Sequence, residues 1–163
     1  MVYSGIEWFT GKGKDMFRGR FEHTIDAKGR VSLPAKYREI LSSSLNDRLI
    51  VTNFDSCLVA YPYEEWVKLE EKSNQLSIME EDTQNFLHYF IAGAAEATID
   101  KLGRILIPPR LRKHAGLEKD IVFVGLIKRI QIWDKARWDK KFTEAQDKFN
   151  QIKGKEALSK LGF

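Results

Sequence analysis

Two aspartates, each followed four positions later by an arginine, are the residues of this chain best placed to do chemistry: Asp26 with Arg30, and Asp100 with Arg104. Both pairs sit in the same frame, Asp-x-x-Gly-Arg. A carboxylate in that frame has two uses. Two of them could share acid and base work, or each could accept backbone N–H groups and start a turn. The second use fits better, because Gly29 and Gly103 supply the positive φ that such a turn needs. Asp26, Gly29, Asp100 and Gly103 are therefore read as turn-supporting residues. The chain has no nucleophile elbow, phosphate loop or metal-ligand spacing, so an enzyme reading lacks its parts. No enzyme activity, cofactor, metal or small-molecule substrate is expected. A guanidinium can take a phosphate, or a guanine edge bidentately, and nucleic acid is the chemistry these arginines suit.

The frames belong to a repeat. Glu22 to Pro34 recurs as Glu96 to Pro108, an ungapped shift of 74 positions, with Thr, Ile, Asp, Gly, Arg and Pro in register. A self-match of that density is read before any single motif. The β-branched lead-in (Thr24, Ile25) and the apolar exit (Val31 to Leu33) predict a β-hairpin bent at Gly29, and the second copy predicts the same at Gly103. Pro34 and Pro108 stop the strands and open short helices over 35–41 and 109–115, the second ended by Gly116. The likeness continues at a shift of 72: Leu49 to Val51 matches Ile121 to Phe123, Leu58 matches Ile130, and Trp66 matches Trp138. Each half thus reads as hairpin, short helix, two strands and a helix carrying Trp.

Charge is placed unevenly along these elements. The first hairpin region carries Arg18, Arg20, Lys28, Arg30, Lys36 and Arg38 against three acids, and the second carries Lys101, Arg104, Arg110, Arg112 and Lys113 against two. Residues 64–82 hold seven acids and two lysines, an acidic seam between the halves. The whole chain of 163 residues has net charge +4 and a pI near 9.1, which admits nucleic acid without requiring it. Cys57 is the lone cysteine, which excludes an internal disulfide. No apolar run approaches the roughly 18 residues of a membrane helix, and no signal peptide pattern opens the chain, so no membrane association and a cytoplasmic location are expected. Trp138, Phe142, Ala145, Phe149 and Ile152 form an amphipathic stripe, expected to dock on its own domain or, alternatively, on a neighbouring subunit.

The residues Met16-Phe17-Arg18-Gly19, His23 to Pro34, Tyr61-Pro62, Asp100 to Arg104, Ile107-Pro108 and Ile130 to Trp133 resemble the MraZ family, bacterial transcriptional regulators with two SpoVT/AbrB-type repeats. The resemblance covers about Met16 to Phe149 and departs at Gln131, where an acid is common. It implies an α+β, strand-rich fold: tandem swapped-hairpin repeats forming an intramolecular pseudo-dimer β-barrel with flanking helices. The implied organisation is an N-terminal extension over 1–15, read as flexible, a first repeat with its helix over 16–75 and a connector over 76–92. A second repeat over 93–139 and a C-terminal amphipathic helix and tail over 140–163 complete it. The implied function is binding of repeated double-stranded promoter elements upstream of the chain's own division and cell-wall gene cluster, by a ring-like homo-oligomer larger than a dimer on the nucleoid. Arg18, Arg20, Lys28, Arg30, Lys101 and Arg104 are the expected DNA-binding residues. An AbrB-like protein-interaction module of the antidote type, clasping a protein partner, stands as the alternative.

Overall fold

The computed structural model describes residues 16–43 and 47–162. The expectation of a flexible extension over 1–15 lies outside the described residues. Strands β1 (Arg20–Thr24), β3 (Arg48–Phe54), β4 (Cys57–Pro62), β5 (Ala95–Thr98), β7 (Asp120–Leu126) and β8 (Arg129–Asp134) form one antiparallel sheet in the order β1-β7-β8-β4-β3-β5. β2 (Arg30–Ser32) and β6 (Arg104–Leu106) form a separate two-stranded ribbon. The inner strands β3, β4 and β7 are almost continuously buried because layers cover both of their faces, whereas the edge strand β1 alternates.

The fold is α+β and strand-rich as expected, without a closed main sheet, and the local hairpins are corrected. The six-stranded sheet ends on β1 and β5 and does not close into a barrel. The repeat units are also not local hairpins: β1 pairs with β7 and β2 pairs with β6, so each Asp-x-x-Gly turn joins strands of two different sheets. Turn chemistry is local, but pairing is decided by which apolar faces meet, and here the partners come from the other half of the chain.

The pairing follows the sequence repeat. In the ribbon Arg30 faces Leu106 and Ser32 faces Arg104, a register unchanged when the halves are exchanged by the 74-residue shift. β4 and β8 cross the same way, Leu58 facing Ile132 and Ala60 facing Ile130. Val31 and Ile105 point from the ribbon into the main core, where Tyr37, Leu49, Phe123 and Ile132 are fully buried. Helices α1 (Ala35–Ser43) and α4 (Pro109–Ala115) contribute Leu41 and Leu111 to that core. α4 stops at Gly116, whose φ of 66° is the left-handed cap the sequence predicts.

The other face of the sheet carries α2 (Tyr63–Ser73), α3 (Glu81–Phe86) and a π-helical turn (Leu87–Ile91) over the first half. Their core is Trp66 packed on Phe90, ring centroids 5.6 Å apart. Buried Thr52 and Asn53 donate to the carbonyls of Phe90 and Tyr89, at 2.7 and 2.9 Å, satisfying the wide turn. Over the second half lies α5 (Lys135–Phe149), followed after a break at Asn150 and Gln151 by α6 (Ile152–Lys160). The expected docking of the C-terminal stripe is met only at its start. Trp138 packs on Trp133 and Phe142 on Trp138, but Ala145 and Phe149 are exposed, and α5 buries no residue fully.

The backbone is strained at the turn between β7 and β8. Ile127, in the two-residue loop between β7 and β8, has a φ of 70°, a region β-branched side chains avoid. Two hydrogen bonds of 2.8 Å exchanged with Phe17 hold it there. Ile127→Asn should therefore raise the melting temperature by roughly 2–4 °C, since the left-handed penalty is about 1 kcal/mol. An unchanged or lower midpoint in a thermal melt contradicts this.

Candidate nucleic-acid interface

The two Asp-x-x-Gly-Arg turns are built alike. Asp26 Oδ1 accepts the backbone N–H of Lys28 at 3.0 Å and of Arg30 at 2.8 Å, and Oδ2 accepts Arg30 Nε at 2.7 Å. Asp100 Oδ1 accepts from Leu102 N and Arg104 N, both at 2.9 Å, and Oδ2 from Arg104 Nε at 2.9 Å. The carboxylate thus closes the turn and orients its arginine together. The Arg30 backbone N–H, more than its guanidinium, holds Asp26 below the ordinary carboxylate value of 3.8, and Arg104 does the same for Asp100. Because both values are lower in the folded state, this contribution to stability is complete above the ordinary Asp range. It is lost as pH falls through the lowered values. Asp26→Ala should lower the melting temperature by a few degrees at pH 7, on the order of one or two net hydrogen bonds. That deficit should vanish in strong acid, and a deficit constant from pH 7 to pH 2 would contradict the assignment.

The turns set up the outer face of the ribbon. With Val31 and Ile105 inward, Arg30, Ser32, Arg104 and Leu106 face solvent. Arg30 and Arg104 occupy diagonal positions, so their Cα atoms lie about 7–8 Å apart. Each uses Nε on its aspartate, and among the described residues neither set of terminal amines has a hydrogen-bond partner. Lys28 and Lys101 are exposed in the flanking turns. The ladder runs past the ribbon ends, with Leu33 N donating to Gly103 O and Ile107 N to Gly29 O, at 2.9 and 2.8 Å. Each turn is therefore anchored to the opposite repeat.

Arg38 and Arg112 deepen that crossing. They are related by the repeat shift and reach from α1 and α4 across the opposite turn: Arg38 lies against Gly103 and Arg112 against Gly29. Arg112 Nη1 donates to the Ala27 carbonyl at 3.3 Å, and its Nε is buried without a partner. The sequence counts both as general basic charge, and nothing local to either helix reveals which turn it meets.

The expected DNA-binding residues do not all converge. Lys28, Arg30, Lys101 and Arg104 gather on the ribbon and its turns. Arg20 lies on the opposite face of the main sheet, because Phe21 and His23 take the core side of β1. Its guanidinium sits 4.4 Å from the Phe142 ring of α5, beside the Lys135–Glu22 ion pair at 3.1 Å. Arg18 is exposed in the bend before β1, where its carbonyl and that of Gly19 accept from the Tyr37 hydroxyl. Among the described residues no group of three or more His, Cys, Asp or Glu side chains could hold a metal ion, and no helix is long and apolar enough to cross a membrane.

A family model described as "MraZ protein, putative antitoxin-like" matches residues 16–88 and again 90–160. The chain belongs to the MraZ family. The curated relatives it resembles include a protein named transcriptional regulator MraZ from Syntrophobacter fumaroxidans, 41% identical over 140 residues, covering 86% of this chain and 93% of that one. A second so named, from Acetivibrio thermocellus, is 47% identical over 125 residues, covering 76% of this chain and 85% of its own. A third, from Thermoanaerobacter pseudethanolicus, is 45% identical over 138 residues, covering 84% and 94%. The two family matches fall one on each half, so the MraZ match and the structural repeat coincide. These relatives are named as regulators, not as enzymes.

Proposed function

We propose that the chain is a sequence-specific DNA-binding transcriptional regulator that meets double-stranded DNA through the outer face of the β2–β6 ribbon. The observation that carries this reading is the paired presentation of Arg30 and Arg104, each braced at Nε by an aspartate with its terminal amines outward. A two-stranded ribbon fits the major groove, and Arg can read guanine O6 and N7 there. Lys28 and Lys101 suit the phosphates on either side, which position the ribbon without reading sequence. Arg18 and Arg20 stand off the ribbon, so their contribution is smaller. The names of the relatives support the regulatory role. The two repeats act as one binding unit, in place of a dimer of single repeats, because each completes the other's ribbon.

The target is repeated elements upstream of the chain's own gene, in a division and cell-wall cluster, and the site of action is the cytoplasmic nucleoid. Footprinting on that upstream DNA should give protection at regular intervals. Uniform or absent protection would favour the protein-clasping alternative.

One ribbon per chain offers few contacts, and linking several units multiplies them on repeated DNA. The protein is therefore a homo-oligomer larger than a dimer, and light scattering at micromolar concentration should return a mass above twice 18.9 kDa. A mass of one chain would end this part of the reading.

A further inference from the structure

The two halves are covered unequally on the face away from the ribbon. In the first half Trp66 of α2 is 3% exposed, closed over by Phe90, on which Phe86 stacks at 5.4 Å. Those rings come from the connector that follows α2. In the second half Trp138 holds the equivalent place on α5 and is only partly buried. Below Trp138 the stripe continues through Phe142, Ala145 and Phe149, and the two phenylalanines are 40% and 47% exposed. Exposed Lys141 and Lys148 flank it on one side.

The same chain exposes a second apolar feature. The turn between α2 and α3 holds Leu76, Ile78 and Met79, which are 47%, 67% and 84% exposed. Three exposed apolar residues fall within four positions of one turn, denser than the single apolar residues ordinary on a surface. Its surroundings have the opposite charge: residues 64–82 hold seven acids and two lysines, net −5, whereas 135–160 hold eight basic residues and four acids, net +4.

We propose that the Leu76–Met79 turn of one copy docks on the α5 stripe of the next copy. Glu80, Glu81 and Asp82 then face Lys141 and Lys148. The internal comparison gives the occupant its character, since the covered half uses connector side chains for the same task. Opposite charge fixes the direction and steers the encounter. The two surfaces lie in different halves, so the contact is heterologous: every copy gives one turn and receives another, and assembly continues until rotation closes it. This inference rests on the homo-oligomer reading above.

Two variants separate the surfaces. Ile78→Asp with Met79→Asp spoils the turn, and Ala145→Glu with Phe149→Glu spoils the stripe. All four positions are exposed, so both proteins should keep the wild-type circular dichroism. Each variant alone should fall to 18.9 kDa by sedimentation. Their equimolar mixture should form a pair of about twice that mass and stop, because one intact turn and one intact stripe remain. Higher salt should weaken the pair. Variants that stay as large as the wild type, or a mixture that stays at one chain, would overturn the proposal while leaving the oligomer standing. A wild type already at one chain would instead remove the oligomer reading itself.

Discussion

Gly29→Ala is expected to disrupt the ribbon, and to do so more than Gly103→Ala, although the two glycines are equivalent in the repeat. Both have positive φ, 91° and 76°, so either alanine meets the left-handed penalty of about 1–2 kcal/mol. Their neighbours differ. A Cβ on Gly29 would lie 2.7 Å from the Ile107 carbonyl oxygen, and Ile107 N already donates to Gly29 O. Backbone on both sides cannot retreat without breaking the ladder. A Cβ on Gly103 would meet the Arg38 side chain, which is exposed and can swing away. The expected losses are roughly 3–4 kcal/mol for Gly29→Ala and roughly 1–2 kcal/mol for Gly103→Ala, from strain plus overpacking. At this chain length they correspond to falls of roughly 6–16 °C and 2–8 °C in melting temperature. Equal losses, or the reverse order, in urea or thermal unfolding would show that Arg112 and Ile107 do not confine the first turn as described.

The second large effect is on binding. Replacing both Arg30 and Arg104 with alanine should leave the fold nearly intact, since each side chain is about a third exposed and each aspartate keeps its two backbone donors. Affinity for the specific upstream DNA should fall by at least about 30-fold, at about 1–3 kcal/mol for each lost base contact. Contacts to phosphate show differently, each lowering the salt slope by about 0.9. Arg30→Lys with Arg104→Lys separates the two terms. It keeps the charge but not the fork, so non-specific binding and the slope should survive while discrimination against other DNA is lost. Wild-type affinity in the folded double alanine variant would transfer the function to another surface.

The sequence exposes the local chemistry of this protein and hides its long-range pairing. The Asp-x-x-Gly turns, the helix stop at Gly116 and the two strands that follow α1 all depend on neighbours a few residues away, and each stands where the sequence places it. The partner of β1 depends on Phe21 and His23 packing with residues a hundred positions later, and the turn chemistry that suggests a local hairpin carries no information about that. Arg20 joins the basic cluster when charge is counted along the chain. The phase of β1, set by Phe21 entering the core, turns it to the other face. Arg38 and Arg112 become part of the site only once the helices carry them across to the opposite repeat. The C-terminal stripe keeps its helical period, but period alone cannot say whether the chain folds back to cover it.

The central claim is that the outer face of the ribbon touches DNA, and site-directed cross-linking tests it most directly. Burial keeps Cys57 from competing, leaving it fully covered and raising its thiol pKa to about 12. A cysteine introduced by Ser32→Cys or Leu106→Cys can then carry a photoactivatable label alone, with Glu144→Cys on α5 as the control. On the upstream DNA, the ribbon positions should cross-link strongly and position 144 weakly or not at all. Efficient cross-linking from position 144, with none from 32 or 106 in protein that still binds, would contradict the account.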